Sequence, residues 1–223
     1  MPQPLSASSR ATSRTKFVPQ WPALSKLCSE RVISRPGWVN WTWTARTLET
    51  DLGVGVRKIV VHGDGFALAE LADGDREYLD EHGDKAFDVD HDGRDMPIQY
   101  PVHRLAITDE SGKELLGQVT WHPVGYGPSY GCLAWNFGRN LLPNKRGKGI
   151  GTAVLKALVR HLFATTDVDR IEGSTDVTNV RAQKSLEKAG FIREGVLRGA
   201  QLRGGKRQDM ISYSLLRTDP MPS

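Results

Sequence analysis

The residues of this 223-residue chain whose types and spacing are best suited to chemistry lie in one stretch, residues 143–155, Pro-Asn-Lys-Arg-Gly-Lys-Gly-Ile-Gly-Thr-Ala-Val-Leu. Gly147, Gly149 and Gly151 stand at every second position, beside Arg146 and Lys148, and an amphipathic apolar run follows. Alternating glycines let consecutive backbone N–H groups converge on one point, and the start of a helix adds the positive end of its dipole. The stretch therefore predicts an anion cradle at a helix N-terminus.

Spacing excludes two familiar phosphate-binding loops. A Walker loop requires Gly-Lys followed by Ser or Thr, whereas Lys148 is followed by Gly149. A dinucleotide fingerprint requires G-x-G-x-x-G, whereas Thr152 follows the third glycine here and gives G-x-G-x-G-T. The pattern that remains is R-x-x-G-x-G, which runs from Arg146 to Gly151.

Length and composition limit the classes of protein to which the chain can belong. Its 223 residues suit one domain with an extension, or at most two small domains. With 39% hydrophobic and 25% charged residues, the composition is ordinary for a soluble globular protein, and no apolar run approaches the roughly 18–20 residues of a membrane helix. Two cysteines, Cys28 and Cys132, are too few for a disulfide framework or a metal-ligand cluster. We therefore expect a cytoplasmic protein with no membrane partner.

The net charge of +4 conceals two oppositely charged regions. Residues 64–95 contain 12 Asp and Glu against 3 Lys and Arg, whereas residues 139–217 contain 16 Lys and Arg against 7 Asp and Glu. An evenly solvated surface would mix the signs more closely, so we interpret the basic region as the binding region for a polyanionic cofactor that faces an acidic loop region. A nucleic-acid partner is not expected, because the basic region lacks interleaved aromatic residues and any recognisable nucleic-acid-binding module.

The N-terminal part of the chain differs from the rest. Residues 1–29 contain four Lys and Arg, six serines and no acidic residue, which superficially resembles a transit peptide, but four prolines oppose a long amphipathic helix and favour a flexible tail. Residues 30–62 contain a tryptophan-rich segment and the β-like run Lys-Ile-Val-Val, which indicate an ordered extension. We therefore divide the chain into an extension (residues 1–62), a main domain (residues 63–217) and a tail (residues 218–223).

A regular pattern of elements begins at Phe66. Some segments alternate apolar and polar residues or are rich in residue types that favour β-strands. They predict strands at residues 66–71, 103–108, 115–122, 130–142, 170–175, 191–197 and 208–216. Helical spacing predicts helices from a cap at Asp73 or Asp75 to about residue 87, at residues 150–163 and at residues 178–189. The order β-α-β-β-β-α-β-α-β-β has one strand–helix–strand crossover, which predicts an α/β fold with a mixed, mostly antiparallel sheet flanked by helices.

Residues 88–95, Asp-Val-Asp-His-Asp-Gly-Arg-Asp, look like the first half of a calcium-binding loop. Asp88, Asp90 and Asp92 would supply the first, third and fifth ligands, and a glycine follows at the sixth position. The twelfth position is Gln99 instead of Glu, and two nearby prolines oppose an exiting helix. We therefore expect no metal, and interpret the segment as an acidic loop near a substrate entrance.

A second motif lies downstream of the cradle at residues 179–191, Asn-Val-Arg-Ala-Gln-Lys-Ser-Leu-Glu-Lys-Ala-Gly-Phe. Together with the R-x-x-G-x-G loop, it resembles the GNAT N-acetyltransferase superfamily, in particular the branch of ribosomal-protein N-terminal acetyltransferases and many small-amine acetyltransferases. The resemblance covers about residues 66–217 and implies the GNAT fold and acetyl-CoA as the co-substrate. A homodimer and an acyl group longer than acetyl stay open.

The resemblance also implies which residues hold acetyl-CoA. The loop amides would bind its diphosphate, and the backbone at the end of a splayed strand would pair with the pantetheine amides. The loop cations could instead be solvated, and the asparagine that opens the second motif could instead be an ordinary helix cap. The residues assigned to the cofactor are Leu141, Leu142, Arg146, Gly147, Lys148, Gly149, Ile150, Gly151, Thr152, Asn179 and Lys184.

Acetyl transfer to an amine requires a deprotonated amine, a polarised thioester carbonyl and a proton for the leaving thiolate. Glu172 and Asp176 are the acidic side chains on or after the strand that leads to the second motif, so we assign them as candidate bases. In many GNAT relatives, a tyrosine seven residues after the asparagine acts as the general acid. This chain has Leu186 at that position. Ser185 is the candidate proton donor, although it could also be a small residue at a helix-packing position.

These residues predict an acetyl-CoA-dependent N-acetyltransferase. It would transfer the acetyl group to a primary amine by direct attack within a ternary complex, without a cysteine nucleophile. The negative charge of residues 64–95 would favour a small cationic acceptor, although these residues could also simply form a solvated acidic face. Two alternatives stay open, namely N-terminal acetylation of a ribosomal or other protein, and a non-catalytic CoA-binding regulatory module.

Overall fold

A computed structural model describes residues 57–84, 86–91, 93 and 100–221 of the chain. Almost all of the predicted extension, together with Asp92 and Gln99 of the acidic segment, lies outside these described residues. The described residues fall within one compact unit of the chain.

The described residues form one eight-stranded sheet and three α-helices. The strands are β1 (Ile59–His62), β2 (Ala67–Ala69), β3 (His103–Thr108), β4 (Leu115–Gly125), β5 (Leu133–Leu141), β6 (Arg170–Asp176), β7 (Ile192–Arg203) and β8 (Lys206–Leu216). The helices are α1 (Asp75–His82), α2 (Ile150–Thr165) and α3 (Val180–Lys188). The order in the sheet is β1-β2-β3-β4-β5-β6-β8-β7. The prediction of a mixed, mostly antiparallel α/β fold is confirmed, since among these strands β5 and β6 alone pair in parallel.

The β-like run at the end of the predicted extension forms the edge strand Ile59–His62, which pairs with β2 of the main domain. Two other boundaries differ from those predicted. Helix α1 ends at His82 instead of about residue 87, because the backbone becomes extended at Gly83. Asp75 is the first residue of α1 and not its cap, because its carboxylate binds Arg57 and the backbone N–H of Ala72.

Helix α2 fixes the glycine loop to the sheet. It buries the apolar face that its 3.6-residue periodicity predicts, and this face joins the main core cluster with side chains of the central strands. Because α2 begins directly after Gly149, the packing of the helix also determines where the loop lies. In the part of the chain that the structure describes, no helix is long and apolar enough to cross a membrane. The buried residues of α2 are Val154, Leu155, Leu158, Val159, Leu162 and Phe163.

The parallel strands β5 and β6 separate after a short paired segment. Residues 134–136 pair with residues 170–172, and no pairs follow between the remaining residues of the two strands. Each strand keeps its other neighbour, since β5 pairs with β4 as far as Leu141 and β6 pairs with β8 as far as Asp176. The aromatic ring of Phe137 lies against the α-carbon of Gly173 where the strands diverge, and a Cβ at Gly173 would lie 2.7 Å from that ring. The sheet therefore opens into a cleft at its centre.

A buried ion pair anchors α1 beside this sheet. The Arg57 guanidinium donates to both carboxylate oxygens of Asp75, at 2.8 and 2.5 Å, and both side chains are about 5% exposed. An Arg57→Leu variant should lose about 3–5 kcal/mol of unfolding free energy, because Asp75 would stay buried without its partner. Urea unfolding measures this loss. Lys58→Leu, which breaks the exposed pair with Glu70, should cost less than about 1 kcal/mol, and equal losses in the two variants would contradict the prediction.

A half-buried histidine makes the stability depend on pH. The His103 ring stacks on Trp121 and meets Trp135 edge-on, at 5.3 and 5.5 Å between ring centroids. Its Nε2 is buried without a hydrogen-bond partner among the described residues, and burial lowers the pKa of the imidazole. The unfolded chain binds this proton at about pH 6.5, whereas the folded protein binds it only at lower pH. The free energy of unfolding should therefore decrease as the pH falls below about 6.5, and not change through this group at higher pH.

Urea unfolding of a His103→Phe variant at pH 7.5 and pH 5.5 tests this dependence. The variant should lose less stability than the wild type between the two values, because one proton-linked group has been removed. A residual dependence should persist, since burial also lowers the pKa values of His122 and His161. His62→Phe, at the exposed end of β1, is the matched control and should behave like the wild type. An unchanged pH dependence in the His103 variant would contradict the assignment.

Candidate functional site

The opening between β5 and β6 is a cleft of about 730 Å³. The diverging halves of the two strands, residues 137–141 and 174–176, form part of its lining. The glycine loop, the first turn of α2 and one side of α3 contribute further residues, as do the loop after α1 and the β7–β8 hairpin. Segments that are distant in the sequence therefore meet at the site where the sheet is open.

The glycine loop has the geometry that the sequence predicts for an anion cradle. Gly147 and Gly149 both have a φ of 82°, a left-handed conformation that side chains rarely adopt, and Gly149 is the N-cap of α2. The backbone N–H groups of Thr152 and Ala153 both donate to the Gly149 carbonyl oxygen, at 3.0 and 3.2 Å. Among the described residues, the N–H groups of residues 147–151 donate to no protein acceptor. These N–H groups lie at the positive end of the helix dipole.

The third glycine of the loop has a different role, because it makes room for an arginine. A Cβ at Gly151 would lie 3.0 Å from the guanidinium of Arg139, which donates to the Gly151 carbonyl oxygen. The same nitrogen of Arg139 donates to Ser185 Oγ at 3.0 Å, and Ser185 Oγ lies 3.0 Å from Thr152 Oγ1. Arg139 is not among the residues predicted from the sequence. Strand alternation with Phe137 was the available signal, since it places Arg139 on the face of β5 that carries this core residue.

Arg146, one of the predicted cofactor residues, binds the loop after α1. Its guanidinium forms an ion pair with Asp84 and donates from Nε to the Leu141 carbonyl oxygen at 2.8 Å. The hydrogen bond from Arg146 lowers the pKa of the Asp84 carboxyl. Arg146 lines the cleft, and its charge is largely compensated in the free protein.

Asn179 and Lys184 line the cleft on α3. Asn179 is the N-cap of this helix, and its Oδ1 accepts a hydrogen bond from the Ala182 backbone N–H at 3.1 Å. Asn179 therefore does cap the helix, which was one of its two possible roles. Capping uses only Oδ1, and the amide Nδ2 of Asn179 takes no part in it.

The remaining residues assigned to the cofactor do not all reach the cleft. Leu141 lines it, at the end of β5. Leu142 does not, since its N–H donates to the Leu116 carbonyl oxygen at 2.9 Å and its side chain belongs to a second, smaller core cluster. Lys148 is exposed to solvent outside the cleft lining, and Ile150 is half-buried and packs against the core.

The two candidate bases lie in different surroundings. Glu172 is in the paired part of β6, outside the cleft lining, and its carboxylate accepts hydrogen bonds from Tyr126 at 2.7 Å, Arg170 at 2.9 Å and Asn136 at 3.3 Å. Asp176 is in the open part of β6 and lines the cleft. The structure therefore brings Asp176 to the predicted cofactor residues and leaves Glu172 in a hydrogen-bonded network beside them.

Asp176 is buried and ionised. Its Oδ1 accepts hydrogen bonds from the backbone N–H and the hydroxyl of Thr178, at 2.6 and 2.5 Å, and its Oδ2 forms an ion pair with Arg203. Burial favours the protonated form, but these partners outweigh it and lower the pKa of Asp176. Arg203 also lies 5.5 Å above the centroid of the Phe87 ring. The cleft therefore contains a guanidinium held between a carboxylate and an aromatic ring.

The acidic segment after α1 contacts the β7–β8 hairpin and the cleft. Asp90 accepts hydrogen bonds from the backbone N–H groups of Gly204 and Gly205, at 3.0 and 2.7 Å, and Asp88 lines the cleft. Both carboxylate oxygens of Asp90 are thus used within the protein, and Asp92 lies outside the described residues. In the ranges that the structure describes, no cluster of three or more His, Cys, Asp or Glu side chains could hold a metal ion.

Comparison with protein-family models identifies the family. Residues 72–192, more than half of the chain, match the model described as an acetyltransferase (GNAT) domain. The chain belongs to the GNAT acetyltransferase family. GNAT acetyltransferases use acetyl-CoA, and the unpaired amides of residues 147–151 fit the diphosphate of that cofactor.

The chain is also similar to three known proteins. The aminoglycoside N(6′)-acetyltransferase type 1 of Klebsiella pneumoniae is 33% identical over 118 residues, which cover 46% of this chain and 58% of the relative. The kanamycin resistance protein of Rhizobium radiobacter is 43% identical over 51 residues, covering 23% and 47%. The chain thus spans about half the length of these two relatives. The structure of Mycobacterium smegmatis RimJ in complex with CoA-disulfide has the same fold, with a TM-score of 0.56 and 18% identity over 74% of this chain and 87% of RimJ.

Proposed function

We propose that this chain transfers the acetyl group of acetyl-CoA to a primary amine of a small cationic molecule. The observation that carries the proposal is the combination of groups in one cleft. The amide cradle at Gly149 lines the same opening of the sheet as three carboxylates, those of Asp84, Asp88 and Asp176. A cradle of this kind suits the diphosphate of CoA, and carboxylates suit an ammonium group.

The separated strands supply the binding edge for the pantetheine arm. Residues 137–141 of β5 and 174–176 of β6 do not pair with each other, so the backbone groups on these facing edges can bond to an inserted amide-bearing chain. One N–H group on this edge would polarise the thioester carbonyl as negative charge develops on its oxygen. The Nδ2 of Asn179 would donate to a carbonyl group of the pantetheine arm.

Asp176 would orient the acceptor amine more than remove its proton. Its lowered pKa makes it a weak base at neutral pH, but its ionised carboxylate would hold an ammonium group in competition with Arg203. The proton would leave the amine through water, after which the neutral amine attacks the thioester carbon directly. Ser185, with its hydroxyl held by Arg139 and Thr152, is the candidate donor of a proton to the leaving thiolate.

The proposed acceptor class rests on charge and on the names of two relatives. The Asp84 and Asp176 carboxylates each bind an arginine of the protein itself, so both positions accommodate a cation. Asp88 lines the same cleft. One relative is an aminoglycoside N(6′)-acetyltransferase and another is a kanamycin resistance protein, and aminoglycosides carry several ammonium groups. An amine with more than one positive charge therefore suits this cleft best.

A panel of acceptors tests the proposal. The purified chain is incubated with acetyl-CoA and kanamycin, spermidine, benzylamine or short peptides with free N-termini, and release of the CoA thiol is measured. We expect the highest kcat/KM with kanamycin or spermidine and at least about 10-fold less with benzylamine, because benzylamine carries a single charge. An Asp88→Asn variant should raise the KM for the polycationic amines only. Release with peptides alone would favour protein N-terminal acetylation, and no release with any amine would favour a non-catalytic module.

A further inference from the structure

Arg139 is a cation in the cleft whose charge is compensated by no carboxylate of the residues that the structure describes. The other two arginines described above, Arg146 and Arg203, are paired with Asp84 and Asp176. The Arg139 guanidinium bonds only to neutral groups, and among the described residues no Asp or Glu lies within ion-pair distance of it. The positive charge therefore lacks a counter-charge within the described part of the protein.

This arrangement costs stability in the free protein. Burial alone lowers the pKa of Arg139 to about 10, because the charged form has lost hydration and no nearby anion replaces it. Arg139 is half-buried, and a charge that is partly removed from water without a counter-charge is destabilising; such groups are concentrated at sites where a ligand supplies the missing charge. The position of Arg139 in the cleft lining makes it accessible to such a ligand.

The position of Arg139 indicates which ligand group it meets. Its guanidinium lies against Gly151 in the first turn of α2, next to the unpaired amides of the cradle. The group that suits those amides is the diphosphate, which carries two negative charges. We propose that Arg139 supplies the main positive charge for the diphosphate of CoA, whereas the sequence indicated the loop cations Arg146 and Lys148 as the source of charge there. This inference rests on the proposed function, since it assumes that the cleft holds acetyl-CoA.

A purely structural role would give different results. Arg139 joins α2 to α3 through Gly151 and Ser185, so its loss could simply weaken the packing of the two helices. In that case a substitution would destabilise the ligand-free protein and impair the binding of every ligand of the cleft. If Arg139 is instead a counter-charge, substitution should remove the cost of the half-buried, uncompensated cation and weaken the binding only of ligands that carry phosphate.

Calorimetric titration of Arg139→Met with three ligands separates these roles. CoA and dephospho-CoA both contain the diphosphate, whereas pantetheine contains no phosphate. We expect Arg139→Met to bind CoA and dephospho-CoA about 10- to 100-fold more weakly and pantetheine as the wild type does, because a charge-assisted contact has been lost. The melting temperature of the ligand-free variant should equal or exceed that of the wild type. Arg193→Met, on the exposed part of β7, is the control and should change no affinity.

A second variant keeps the inference testable if Arg139→Met does not fold. Arg139→Lys keeps the charge but not the planar fork, so it should retain most of the affinity for CoA. Normal CoA binding by Arg139→Met would overturn the inference, as would an equal loss for CoA and pantetheine with a lowered melting temperature. If the wild type bound pantetheine and CoA with equal affinity, the diphosphate would contribute nothing to binding, and the inference would be wrong. A wild-type chain that bound no CoA at all would overturn the proposed function itself.

Discussion

A Gly149→Glu variant should bind acetyl-CoA at least about 100-fold more weakly than the wild type while remaining folded. Two effects act in the same direction on binding. Gly149 has a φ of 82°, which costs a residue with a side chain about 1–2 kcal/mol, so the loop would tend to leave the geometry that presents its amides. The new carboxylate would also occupy the positive end of α2, where the diphosphate is expected, and would repel it. Calorimetric titration with acetyl-CoA measures the loss.

Gly74→Glu is a matched control for this variant. Gly74 is the N-cap of α1 with a φ of 83°, and a Cβ at either glycine would meet no atom within 4 Å. The two variants should therefore lose similar melting temperature, and Gly74→Glu should bind acetyl-CoA normally. If Gly149→Glu bound acetyl-CoA with unchanged affinity, the loop would not be the diphosphate site.

The periodicity of the sequence was sufficient to predict most elements of the described fold. The apolar spacing from Ile150 to Phe163 predicts α2, and every predicted strand from residue 103 onward is present in the described chain. The separation of β5 and β6 is not visible in this periodicity, and it begins where the Phe137 ring packs against Gly173. Such packing joins residues 36 positions apart in the chain, and nothing in the pattern of either strand encodes it. The resemblance to the GNAT family supplied this feature instead.

The sequence predicts those residues of the candidate site whose roles depend on their neighbours in the chain. The glycines at positions 147 and 149 have roles set by neighbouring residues, and the sequence indicates them directly. Arg139 and Arg203 were missed, because their partners come from α2, α3 and the end of β6. Strand alternation places Glu172 and Asp176 on the same face of β6, so it cannot distinguish them. The two residues differ only because the strands separate between them, so that Glu172 lies in the paired region and Asp176 lies in the cleft.

An Asp176→Asn variant should lower kcat/KM for a polycationic amine by about 100-fold or more, with little change in the affinity for acetyl-CoA. Asparagine keeps the size of the side chain and can still accept the Thr178 hydrogen bonds, so the main change is the loss of the negative charge. Loss of a group that positions the reacting amine can cost about 100-fold in rate. CoA release with kanamycin gives kcat/KM, and calorimetric titration gives the cofactor affinity.

The ion pair with Arg203 must be separated from this effect. Asp176→Asn alone leaves the Arg203 guanidinium buried without a carboxylate, so the variant should also lose about 3–5 kcal/mol of unfolding free energy. The double variant Asp176→Asn with Arg203→Gln should recover most of that stability but not the activity.

Arg203→Gln alone should leave Asp176 free to bind the acceptor, and should therefore lower the KM for the polycationic amine. In the free protein Arg203 lies where an acceptor cation would sit, between Asp176 and the Phe87 ring, so a substrate must compete with it. Recovery of activity together with stability in the double variant would show that Asp176 serves only to hold the β7–β8 hairpin. The acceptor amine would then be bound by Asp84 or Asp88 instead, because these are the other carboxylates of the described cleft lining.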